Sequence, residues 1–454
     1  RFVLDVVELH RILVGALKTM NDSACNSLSH LNRRTLMKAA GLSGLTWLSP
    51  VAHALGRAEE ASPRGRPPGS VIMLWLQGGP SQLETFDPHP GKRIGGETKA
   101  IPTAAKDVKI ASGLGNLADV MDEVTIVRNV VSKEGDHERA TYNVKTGWRP
   151  DPTLVHPSIG AVMCHELPIG QAEIPRHVSI LPGQWPGRGG YLGDKFDAFK
   201  VPDPKQPIPD VAARVSAQRY DKRIEDLNVV ENAFGRGRLA KLEEKKTLHL
   251  ATIAAARRMM TSEQLKAFDV SKEPEKLREE FGDSPFGRGC LAAARLVEVG
   301  VRCVEVTLNG WDSHLNNHET QAARVDTLDP AFAALIKELR RRELLDSTMI
   351  ICGGEFGRTP IINPGAGRDH WPHGFSIALA GGGIRKGIVL GETSPDGDKL
   401  EYDDEKNIQV ANIHATVMHA LGIDYSQELD TPVGRPMRLS DGKVVKELLA
   451  GEGA

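Results

Sequence analysis

The sequence predicts an α/β protein of three layers, with helices on both faces of a mostly parallel central sheet. Two observations lead there. Short, unbroken apolar runs of strand length recur along the chain, and segments with helical spacing alternate with them. A strand buried on both faces reads as a continuous apolar run, and its alternation with helices marks a sheet covered on both sides. A third observation locates the chemistry: the loops that follow several of these runs carry carboxylates and imidazoles. In such sheets ligands gather beyond the carboxyl ends of the strands.

The first segment is an address. "NRRTLMKAAGLSGLTWLSPVAHAL" carries Arg33-Arg34, then Lys38, an uncharged stretch over 39–52 and Ala52-His53-Ala54. A basic region, an apolar stretch too short to span a bilayer and a small-x-small cleavage site, in that order, form an export signal. With its paired arginines it resembles a twin-arginine signal, so the expected partner is the twin-arginine export machinery and the expected location is periplasmic or secreted, in a bacterium. The leader is expected over 1–54, with Met20 a possible true start, and the Pro/Gly/Arg-rich "EEASPRGRPPGS" falls in a linker over 55–70. A single α/β domain is expected over 71–450.

The strands expected in that domain are 71–77, 124–131, 177–181, 301–308, 348–354 and 375–382, with helices over 210–260, 289–299, 320–342 and 410–421. Gly300 is placed to cap the helix before the fourth strand. No segment after the leader is apolar and long enough to cross a membrane. With 57 basic and 59 acidic residues the net charge is −2, and no basic stripe points to a nucleic-acid partner. Five cysteines without a C-x-x-C pair sit mainly in apolar stretches and read as buried thiols. Cys303 and Cys352 remain open as a pair facing one another on neighbouring strands.

Three strand ends deliver the candidate site. After Gln77 comes "GGPSQLETFDPHPG", with Glu84 and Asp87; after Leu308 comes "NGWDSHLNNHE", with Asp312, His314 and His318; after Cys352 come Glu355 and then "GRDHWPHG", with Asp369, His370 and His373. Carboxylate with neutral imidazole is the ligand mix that suits a divalent metal ion such as zinc, manganese or iron. His318 also fits as a neighbour of His314 on one helix face, and His373 as a turn cap. Trp148, Trp311 and Trp371 either pack the loops or offer a platform to a sugar ring. Arg358 and Arg368 flank the last loop and suit an anionic group. His414 and His419 lie in a helical pattern and read as structural.

The stretches "LQGGPSQLETFDPHPG", "GWDSHLNNHE", "GGEFGRTPIINPGAGRDHWPHGFSIALAGGGIRKGIVLGETSPDG" and "LGIDYSQELDTPVGRPM" resemble the DUF1501 family of exported proteins, within the alkaline phosphatase/sulfatase-like superfamily. The resemblance implies an alkaline phosphatase-like domain and metal ligands at Glu355, His370, Asp312 and His314. Phe356 stands where that superfamily has a ligating His. The first strand ends in Gln77 rather than Asp, so either its amide oxygen serves, or Glu84 or Asp87 reaches in. "HERATYNVKTGWRP" resembles the sulfatase nucleophile segment, and its nucleophile position falls on His137, which cannot become formylglycine. His137 and Arg358 are then the candidate catalytic groups. The implied function is a metal-dependent hydrolase of phosphate or sulfate esters, on a small-molecule or carbohydrate substrate. The alternative is a non-catalytic exported binding protein that keeps the fold.

Overall fold

Each long apolar run becomes a strand, and the strands assemble into one nine-stranded sheet. The computed structural model describes residues 69–209, 211–235, 252–393 and 407–451. The expected leader and nearly all of the linker lie outside them. The described residues belong to a unit spanning 66–454.

The strands used below are β1 (Ser70–Gln77), β2 (Val124–Val131), β3 (His177–Ile180), β4 (Phe199–Val201), β5 (Cys303–Asn309), β6 (Thr348–Gly353), β7 (Gly357–Arg358), β8 (His370–Trp371), β9 (Phe375–Gly381), β10 (Val389–Leu390) and β11 (Ile408–Gln409). The helices are α1 (His137–Thr146), α2 (Ile159–Glu166), α3 (Ala217–Gly235), α4 (Pro285–Glu298), α5 (Asn317–Arg341) and α6 (Val410–Ala420). The sheet runs β10-β2-β9-β6-β1-β5-β3-β4, with β11 also on β2. All pairings are parallel except those of β9, which is antiparallel to both β2 and β6.

Register aligns the strand ends that matter. Gln77 of β1 faces Asn309 of β5, and Trp75 faces Gly353 of β6. The carboxyl ends of β1, β5, β6 and β2 therefore share one sheet edge. Because β9 runs the opposite way, the segment leading into it, with His370, arrives at that same edge.

Side chains alternate between two cores, as the pleat requires. Ile72, Leu74, Ile350, Cys352 and Val304 pack with α4 and α5 on one face. Val71, Met73, Trp75, Met349 and Cys303 pack with α2 and α6 on the other. This is the expected three-layer arrangement. Cys164, Cys290, Cys303 and Cys352 are buried free thiols. The idea that Cys303 and Cys352 face each other fails, because β1 lies between their strands and they belong to opposite faces. Among the described residues, no helix is long and apolar enough to cross a membrane.

Candidate metal centre

Three loops and one helix start converge at the shared edge. From β2 the chain passes through 132–136 into α1, where Asp136 caps the helix by accepting the Glu138 and Arg139 backbone N–H groups. A capped start fixes the first residue of the helix, and that residue is His137. From the loop after β5 come Asp312 and His314, and from the loop between β7 and β8 comes Asp369, with His370 opening β8. Ligand atoms of His137, Asp312 and His370 lie within 4.8 Å of one another.

Each imidazole has one ring nitrogen held by an oxygen. His137 Nδ1 donates to Glu355 Oε1 at 2.8 Å, His314 Nδ1 to Asp369 Oδ1 at 2.8 Å, and His370 Nδ1 to the Gly135 carbonyl at 2.8 Å. That assignment of the protons leaves Nε2 of each ring as the lone-pair atom. All three Nε2 atoms face one carboxylate. His137 Nε2 stands 3.4 Å from Asp312 Oδ2, while His314 Nε2 and His370 Nε2 stand 3.2 and 3.4 Å from Oδ1. His314 Nε2 and His370 Nε2 are themselves 3.0 Å apart. Two lone pairs at that distance repel unless a cation or a shared proton lies between them.

The surroundings set the electrostatics. The hydrogen bond from His137 to Glu355, with the charges of Glu355 and Asp312, raises the His137 pKa above its ordinary value despite burial. Burial lowers that of His370. At Asp312 burial acts upward, but the hydrogen bond and charge of Arg358 outweigh it and hold the carboxyl below its usual range. Phe356 lies against His370, with ring centroids 4.3 Å apart. It sets an apolar wall against that imidazole.

Several candidates have other work. Glu355 is fully buried, and its Oε1 also accepts the Gly78 N–H at 2.8 Å. It therefore stands one bond behind the cluster and orients His137 instead of joining Asp312 and His370. Gly78 has φ +114°, and a Cβ there would meet the Asp312 backbone nitrogen at 2.6 Å, so this turn tolerates no side chain. Arg358 is fully buried, and its guanidinium is spent on the Gly78, Gly79 and Arg368 carbonyls and on Asp312, 2.6 Å away. It is a brace for the loops: four of its five N–H groups are spent on them and on Asp312, and the side chain is fully buried. Arg368 is likewise buried, paired with Glu84 at 2.9 Å.

Glu84 is thus held away by Arg368 and His318, and Asp87 by Arg128. Neither reaches the cluster. Gln77 lines the cleft, but its amide oxygen abuts Gly183, where a Cβ would lie 1.8 Å from it. His373 is half-buried and is not one of the three converging residues. His318 is occupied by Glu84 and the Glu97 N–H, and His414 donates to the Val144 carbonyl. Trp311 is fully buried and packs the loops, and Trp148 stacks on His156.

An open cleft of about 670 Å³ leads to His137 and Asp312, walled by Gln77, Gln184, Trp185 and Asn309. The Trp185 carbonyl accepts from Lys145, which is buried and paired with Glu305 at 2.7 Å. No Ser, Thr, Cys or Lys is among the residues lining this cleft. Sequence reasoning missed this wall, because a 182–185 loop with no charged or metal-ligating group carries no motif.

Fold and site together define a three-layer α/β protein with an imidazole–carboxylate cluster at its strand ends. The chain belongs to the family described as "Protein of unknown function (DUF1501)", which it matches over residues 69–449. No curated protein matches it. Among solved structures it is similar to PsFucS1 sulfatase from Pseudoalteromonas sp., at 11% identity and TM-score 0.39, over 89% of this chain and 76% of that one. It is also similar to the lipoteichoic acid synthase LtaP from Listeria monocytogenes, at 10% identity and TM-score 0.38, over 79% and 73% of the two chains. A third is the C-terminal periplasmic domain of EcEptC from Escherichia coli in complex with Zn, at 10% identity and TM-score 0.36, over 85% and 93%.

Proposed function

We propose that this protein is an exported metal-dependent hydrolase of phosphate or sulfate esters, with a divalent ion held by His137, Asp312, His314 and His370. The observation that carries the metal is the set of three Nε2 lone pairs turned on one carboxylate. Ligands about 2.0–2.1 Å from a tetrahedral ion stand about 3.3–3.4 Å from each other. The separations of 3.2 and 3.4 Å between Asp312 and the three imidazoles match that spacing. The buried Glu355 Oε2, without a hydrogen-bond partner among the described residues, is a further sign that positive charge belongs here.

A bound divalent ion supplies Lewis acidity and a lowered pKa for water. The rest falls to the chain. Glu355, Asp369 and the Gly135 carbonyl hold the three rings in one tautomer, and Arg358 keeps Asp312 ionised. No Ser, Thr, Cys or Lys lines the cleft, and the His137 imidazole and Asp312 carboxylate that do are taken up as ligands in this reading, so water is the attacking group. The ester class rests on the resemblance of the strand-end loops, and export rests on the leader motif. The absent nucleophile also favours a second reading, a binding protein that keeps the metal and performs no hydrolysis.

Metal analysis of untagged protein, purified without chelator, tests the site. The parent is expected to hold about one ion per chain, and His370→Ala and Asp312→Asn less than a tenth of that. Variants that keep the parent's metal overturn the site. A metal-loaded parent that turns over neither phosphate nor sulfate esters replaces the hydrolase with the binding reading.

A further inference from the structure

A second cleft, of about 460 Å³, opens beside α1, between the carboxyl end of β2, the Trp148–Asp151 turn and the start of α6. It shares no lining residue with the cleft at His137. The first residues of α6, Val410 and Ala411, line it. The helix is 11 residues long, has no acidic residue in its first turn and has no side-chain cap among the described residues. Such a start presents bare N–H groups and a partial positive charge.

A second observation points to a ligand independently. His156 lines the cleft and is 3% exposed, and its Nε2 has no partner among the described residues. The Tyr142 hydroxyl accepts the His156 backbone N–H at 2.6 Å and lies 2.9 Å from His156 Nδ1. The tautomer that satisfies both groups has the hydroxyl donating to Nδ1, which leaves the proton on Nε2. A buried N–H donor without an acceptor is destabilising, and an anionic oxygen supplies one.

The rim agrees. Lys133 and Arg435 both line the cleft, and neither pairs with a carboxylate at salt-bridge distance among the described residues; Arg149 is spent on Glu134 at 2.6 Å. Asp151 and Asp441 also line it, with the Trp148 indole. Cations and a helix start suit an oxyanion, carboxylates accept from hydroxyls, and an indole offers an apolar surface.

We propose that this cleft binds an acidic sugar residue. Its oxyanion lies towards α6, Lys133, Arg435 and the His156 N–H, and its hydroxyls towards Asp151 and Asp441. The proposal does not depend on the metal centre. Isothermal titration of the full chain with D-glucuronate, D-glucose and inorganic sulfate tests it. Saturable binding of glucuronate is expected, with glucose and sulfate each at least about tenfold weaker. K133Q/R435Q, which changes two exposed side chains, is expected to weaken glucuronate at least about tenfold, whereas Asp312→Asn leaves it unchanged. Glucose binding as tightly as glucuronate, or a double variant binding like the parent, overturns the site. Sulfate matching glucuronate, an adventitious ion only, overturns the sugar.

Discussion

Glu355 shows how one residue can govern a site it does not enter. Its Oε1 accepts hydrogen bonds from both the His137 Nδ1–H and the Gly78 N–H, so one buried oxygen sets a ring tautomer and a turn together. Glu355→Gln keeps the shape and removes the charge that supports the His137 ring. Loss of such an outer partner typically weakens metal binding 10–100-fold. A chelator competition titration is expected to show that loss with the fold intact by circular dichroism, and unchanged affinity would remove Glu355 from the metal's support. Asp312 and His314 stand out in the sequence because they follow an apolar run within a few residues, and His370 because it sits beside Asp369 and near His373 in the stretch after the next run. The Glu355–His137 bond does not, since it spans 218 positions and depends on β2 and β6 ending at one edge.

At the scale of elements, the loops after β1, β5 and β6 are tied by Arg358. Its guanidinium collects carbonyls from the β1 turn and the loop before β8, and the Asp312 carboxylate. Removing one partner of a buried charged network costs about 3–5 kcal/mol. Arg358→Met is therefore expected to lower unfolding free energy by about that much in urea titration and to abolish metal uptake; a loss below about 1 kcal/mol would show the tie to be slack. Long strands were legible because burial on both faces leaves mostly apolar positions: 124–131 was read to the residue, and β1, β5, β6 and β9 to within two. The two-residue strands β10 and β11 were not, since so short a segment carries no pattern. The helix beginning at His137 was read only as a motif, because its polar residues mask the periodicity and Asp136 is its one start signal. The expected helix over 210–260 is partly seen as α3.

For the whole molecule, acid stability tests the packing of α6 against α1. His414 is buried, donates to the Val144 carbonyl, and burial holds its pKa down to about 4. The unfolded chain therefore binds more protons between about pH 6.5 and the folded value. Stability from this residue is complete above that window and is lost as pH falls through it. Melting temperatures of the parent and His414→Gln are expected to converge between pH 7 and pH 5 as the parent loses its advantage; parallel curves would show that His414 does not contribute. The antiparallel course of β9 has a consequence for assembly. This strand slots between β2 and β6 although both precede it in the chain, and it is the last of the long strands to be synthesised. His370 lies just ahead of that strand and bonds the Gly135 carbonyl beyond β2, so its contacts join parts of the chain far apart in sequence. An ion bound there would register that the chain from residue 70 to residue 381 has closed, and would stabilise the closed chain by mass action.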